Sequence, residues 1–123
     1  MKLRLDFENI QTEVELYKTA CAEALYEAAP FEATVHLWGK EIYFETPVIF
    51  ELDETAKETV AEGDVGYWPS GKALCLFFGP TPISAPGEIR PASAVNVVGK
   101  VISPLEDLLK VSEGTMVRVE KAS

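Results

Sequence analysis

Positive charge, histidine, cysteine and long apolar runs are all scarce in this sequence, and each scarcity removes a class of function. Eleven Lys and Arg stand against 20 Asp and Glu, for a formal net charge of −9 at pH 7. Affinity for phosphate backbones comes from Lys and Arg displacing counterions, so neither nucleic acid nor an anionic membrane is an expected partner. One histidine, His36, and two distant cysteines, Cys21 and Cys75, supply neither a zinc-ligand set nor a Cys/His nucleophile, and no metal or organic cofactor is expected. Both cysteines sit among apolar neighbours and read as reduced core thiols. No stretch reaches membrane-helix length, and the opening MKLRLDFEN alternates apolar and charged residues where a signal peptide needs an apolar core. The expected compartment is the cytoplasm.

What is present is one domain's worth of alternating sequence. A chain of 123 residues buries roughly two-thirds of its unfolded surface, so residues 1–123 are read as one domain that needs no disulfide. Leu3, Leu5 and Phe7 alternate with charged residues, as do Thr12, Val14 and Leu16 after a turn near Asn9, which predicts an opening β-hairpin. Lys18 to Ala29 then places Cys21, Ala24, Leu25 and Ala28 on one helical stripe, stopped by Pro30. Phe31 to Leu37 alternates again, turns at Gly39-Lys40, and returns with Ile42 and Phe44 inward. This second hairpin presents His36, Trp38, Glu41 and Tyr43 on its other face. Asp53 to Asp64 reads as a solvated acidic connection, and Thr81 to Pro91 as a long loop of the kind that carries function. Ala94 to Ile102 is a strand interrupted by Gly99. Ser103-Pro104-Leu105-Glu106 has the form of a helix start with a capping box, predicting a second helix over Pro104 to Val111 before a last strand around Val117 and Val119.

Gly63 to Pro82, GDVGYWPSGKALCLFFGPTP, contains the start of a phosphate-binding signature in Gly66 to Lys72. Ala73 then stands where Mg²⁺ chemistry needs a hydroxyl, and Tyr67, Trp68 and Pro69 obstruct a cradle of backbone N–H groups. Ala73 to Phe78 is a short apolar run closed by Gly79-Pro80, so the segment is expected to be strand, tight loop and strand, with no nucleotide site. Many strands of opposed direction with two distant helices are satisfied by a mainly β, closed or nearly closed antiparallel barrel of about eight strands with two capping helices.

Several segments resemble cyclophilins: VELYKTACAEAL after the opening hairpin, ALCLFFG with its paired phenylalanines, and VNVVGKVISPLEDLLKV before the closing strand. GDVGYWPSGKALCLFFGPTP and PASAVNVVGKV are similar, more closely, to a small prokaryotic cyclophilin-like family whose members have no agreed activity. The likeness runs over nearly the whole chain and implies a cyclophilin-type barrel. Cyclophilins isomerise prolyl bonds with an arginine that donates toward the prolyl nitrogen beside an apolar pocket. The matching region here, Phe31 to Pro47, has no arginine; His36 and Lys40 are its candidate donors, and a lysine is not a planar fork. Phe78 matches the pocket phenylalanine. The cyclophilin glutamine and late histidine have no counterpart, Val95 and Asn96 standing near the place of the histidine.

The resemblance therefore implies a ligand- or peptide-binding barrel without the usual isomerase arginine. Its binding residues would be His36, Trp38, Tyr43, Tyr67, Trp68, Phe78 and Arg90, taking a small ring-bearing molecule or a proline-containing peptide. For the aromatic residues the alternative is packing beneath a loop or over a barrel end, the favoured reading for Trp38. A divergent peptidyl-prolyl isomerase is a second reading, with Arg90 as the only candidate catalytic residue. An accessory domain of an amide-hydrolysing enzyme assembly is a third, by analogy alone. A second copy of the chain is a further candidate partner.

Overall fold

Alternation sets the first two strands. In the computed structural model, which describes residues 1–123, β1 (Lys2–Asp6) and β2 (Gln11–Leu16) pair antiparallel with Leu3 opposite Val14 and Leu5 opposite Thr12. Leu3, Leu5, Phe7, Val14 and Leu16 are all buried, so one face of the hairpin is core and the other solvent. Helix α1 (Ala20–Ala28) follows, its N-terminus capped by Thr19, whose Oγ1 accepts from the Ala22 N–H at 3.2 Å. Its buried stripe is Cys21, Ala22 and Leu25; Ala24 and Ala28 flank it, half-buried. Burial pushes the Cys21 thiol up to about 11, so it stays protonated as an apolar core group.

Strands β3 (Phe31–Thr34) and β4 (His36–Leu37) are two parts of one stretch, interrupted at Val35. β4 turns through Gly39, at φ 61°, into β5 (Glu41–Glu45). Only glycine serves at this turn, because a Cβ would lie 2.9 Å from the Pro80 carbonyl oxygen. The acidic connection contains a two-residue strand, β6 (Ala56–Lys57), which was not expected there. Then come β7 (Asp64–Trp68), a 3-10 turn at Pro69–Gly71 ending in left-handed Lys72, β8 (Ala73–Phe77), β9 (Val95–Val101), a 3-10 helix (Leu105–Lys110) and β10 (Met116–Lys121). GYWPSGK thus joins two strands, and no helix follows it to receive a phosphate.

All pairings are antiparallel, in the order β3-β10-β1-β2-β9-β7-β8-β5-β4, with β6 beside β9. Because β3 and β4 are consecutive, the order begins and ends on the same stretch of chain, and the sheet comes round on itself as a nearly closed barrel with two helices. The join is complete where His36 and Leu37 face Tyr43 and Ile42. It is open between β3, which leans onto β10, and the far half of β5. No helix is long and apolar enough to cross a membrane.

Two features differ from expectation. β9 runs unbroken through Gly99, which is required because a Cβ there would lie 2.3 Å from the Glu15 carbonyl oxygen; the irregularity falls instead opposite Val65 and Gly66, where β9 carries an extra residue. Ser103 does not cap the second helix. The cap position is Pro104, without a side-chain bond, and Ser103 Oγ accepts from the Glu13 N–H at 2.9 Å. Glu13 lies just beyond the last β2–β9 pair, so the hydroxyl satisfies a strand donor that the ladder no longer reaches.

The large core inside the barrel is closed over by Cys21, Ala22 and Leu25 of α1 and by Leu108 of the 3-10 helix. A second, smaller cluster of Ala73, Cys75, Phe77, Ile89 and Val95 lies on the outer face, beneath the connection from β8 to β9.

Candidate binding cleft on the outer face of the barrel

Strand parity places the site. On β5, Ile42 and Phe44 point into the barrel, so Glu41 and Tyr43 point out. β8 pairs Tyr43 with Cys75 and Glu41 with Phe77, which puts Cys75 and Phe77 on the same outer face. On β7, Val65 and Tyr67 are inward, leaving Gly66 and Trp68 outward, with Gly66 opposite Cys75. The row Tyr43–Cys75–Gly66 carries a thiol and a hydrogen at its centre where larger side chains would fill the surface. Val95 leans across Gly66, at 2.7 Å from where a Cβ would sit. What remains is a cleft of about 270 Å³, walled by Trp38, Tyr43, Trp68, Pro91, Ala92 and Val95, with Glu41 and Cys75 also lining it.

The walls are held by identifiable contacts. Tyr43 and Trp68 meet edge to face with centroids 6.3 Å apart, and Trp68 Nε1 donates to Ser93 Oγ at 2.7 Å. The Trp68 ring lies over Gly71, 2.8 Å from the position of an added Cβ. The connection above the cleft is pinned: Ser84 Oγ accepts from the N–H groups of Thr81 and Arg90, Thr81 Oγ1 donates to the Arg90 carbonyl, and Ile89 bridges to Val60. A wider groove of about 620 Å³ adjoins at Tyr43 and Trp68 and runs into the open seam past His36, Glu45 and Pro47. His36 stacks on Tyr43 at 5.3 Å, and its Nδ1 is 2.9 Å from Glu113 Oε2. The Leu37 N–H and then His36 hold the Glu113 carboxyl below its ordinary value.

Glu41 is the electrostatic centre. Only 5% of it is exposed, and its Oε1 has no hydrogen-bond partner. Burial raises its carboxyl from 4.5 to about 7, against a smaller opposing contribution from Cys75. Cys75 is itself raised well above its usual value by burial, then by Glu41, so its thiol is not a nucleophile. No group of three or more His, Cys, Asp or Glu is placed to hold a metal ion.

The structure therefore brings Trp38, Tyr43 and Trp68 into one cleft and His36 into the adjoining groove. Tyr67 sits elsewhere, fully buried in the barrel core, its hydroxyl donating to the Val48 carbonyl and accepting from the Phe50 N–H. Phe78 packs against the inner core. Arg90 directly precedes the cleft-lining Pro91, but its guanidinium is held by Glu88 at 2.9 Å; the ion pair raises the pKa of Arg90 and lowers that of Glu88. Sequence reasoning singled out neither Glu41 nor Cys75 as site residues, although Glu41 shares the parity of Tyr43 and the signal was there to use.

Comparison with known proteins agrees with this architecture. No match was found among the curated proteins. The solution structure of a hypothetical protein from Archaeoglobus fulgidus is 49% identical, with a TM-score of 0.85, covering 99% of this chain and 95% of that one. The family described as Cyclophilin-like matches residues 1–120. From its barrel, its strand order and this match, the chain belongs to the cyclophilin-like family.

Proposed function

We propose that this protein is a binding barrel that holds a small ring-bearing molecule, or a proline-bearing stretch of peptide, against the outer face of the sheet, without catalysing isomerisation. The single observation that carries the reading is the aromatic cleft walled by Trp38, Tyr43 and Trp68, preformed and roofed by a hydrogen-bonded loop. Such a cleft, apolar with few polar groups, is the common form of a small-ligand site. The isomerase reading draws no support from Arg90, whose guanidinium is committed to Glu88 and does not line the cleft. Geometry must precede any charge effect on the prolyl nitrogen.

Exchange NMR on an Ala-Pro test peptide checks this. Interconversion is expected at the uncatalysed rate, over tens to hundreds of seconds. The peptide or an apolar ring probe should change the intrinsic fluorescence, which reads the cleft because both tryptophans of the chain line it. Strong catalysis abolished by Arg90→Ala would overturn the binding-barrel reading.

A further inference from the structure

From the Glu41 carboxyl, whose buried Oε1 has no partner, at an aromatic-walled cleft, we infer that the ligand is an organic ammonium: an apolar ring carrying a protonated primary or secondary amine, whose N–H donates to Glu41. This rests on the proposed binding role of the same cleft and goes further in naming the chemistry.

A buried carboxyl is ordinarily satisfied by several donors, yet Glu41 Oε1 has none and the residue is 95% removed from solvent by the complement of its 5% exposure. Of the titratable groups around it, Cys75 and Tyr43 face it from β8 and β5, and neither brings a positive charge. Lys40, next in sequence, does not line the cleft, its stem lying instead against Gly79. The protein thus leaves an acidic oxygen without a counter-charge at an apolar site. Trp38, Tyr43 and Trp68 add π-faces, which attract cations as well as covering apolar rings. A cavity of about 270 Å³ suits a single ring with a short arm. The surrounding net charge of −9 draws in cations and repels carboxylate ligands.

Binding of a cation there stabilises the ionised form of Glu41, so association should release protons near neutrality and tighten from pH 6 to pH 8. A neutral ring of the same shape should show no such change.

The test compares benzylamine with benzyl alcohol at pH 8 by tryptophan fluorescence and NMR, on the wild type and on Glu41→Gln. The variant keeps the shape of the side chain, and its fold is checked by the dispersion of its amide spectrum. A charge-assisted hydrogen bond implies benzylamine binding roughly tenfold or more tightly than benzyl alcohol. In Glu41→Gln that preference should vanish while benzyl alcohol binding persists. Equal affinity of the two probes for the wild type would overturn the ammonium assignment and leave the binding cleft standing. A preference that survives Glu41→Gln would remove Glu41 from the assignment. Binding of neither probe would overturn both.

Discussion

Glu41 shows how one residue's environment sets its chemistry. Its folded value of about 7 lies above its ordinary 4.5, so between those values the folded protein keeps a proton that the unfolded chain has released. Stability from this group is therefore full below about 4.5 and is lost as pH rises through 7. Glu41→Gln removes the titration. Between pH 4.5 and pH 8 the stability of the variant relative to wild type should shift in its favour by up to about 3 kcal/mol. Urea denaturation at both values measures it, and a difference that stays flat would show that the carboxyl is solvated. Glu88, Glu113 and Glu120 are shifted the other way, so their contributions fall away at lower pH and do not overlap this window. Tyr67 and Trp68 carry the complementary lesson. Neighbours in a loop can share a groove, but here the loop begins only at Pro69. Within a strand, adjacent side chains face opposite ways, and the pair divides between core and cleft.

Among the elements, those with strict alternation or a capped amphipathic stripe were legible: the opening hairpin, α1, the β4–β5 hairpin and β10 all lie where the pattern puts them. Ser103 was not, because a hydroxyl before proline looks the same whether it caps a helix or ends a sheet, and only the long-range approach of Glu13 decides between them. Ser103→Ala is expected to cost about 1 kcal/mol. Hydrogen exchange should speed at the Glu13 amide and remain unchanged in the 3-10 helix. The reverse pattern would restore a capping role. Gly99 is a second point where distant chain sets the requirement. Gly99→Ala puts a methyl against the Glu15 backbone, where no side chain can give way, and should destabilise by about 2 kcal/mol or more, read from the denaturation midpoint. Gly71→Ala clashes with the Trp68 ring and makes only ordinary contact with Ala73, so it should move the indole off Ser93 and weaken cleft binding more than it weakens the fold.

At the scale of the whole molecule, closure depends on one stretch, Phe31 to Leu37, pairing with β10 through its first part and β5 through its second. Antiparallel closure could be inferred from the number and direction of strands, but not the open seam, since it follows from where the stretch changes partner across Val35. The same closure divides the apolar residues between a large inner core and a small outer cluster, and the cleft is the unfilled part of that outer cluster. The acidic surface and the strand-turn-strand form of GYWPSGK predict that ATP with Mg²⁺ will give no micromolar binding in calorimetry; such binding, lost in Lys72→Ala, would overturn this. The central claim is that the outer-face cleft is where a ligand sits. It is tested most directly by a protein-observed NMR titration with benzyl alcohol. The indole N–H signals of Trp38 and Trp68 and the amides of Glu41 and Cys75 are expected to shift together, while those of β1 and β10 stay fixed. Shifts centred on β1 and β10, or none at millimolar probe, would contradict it.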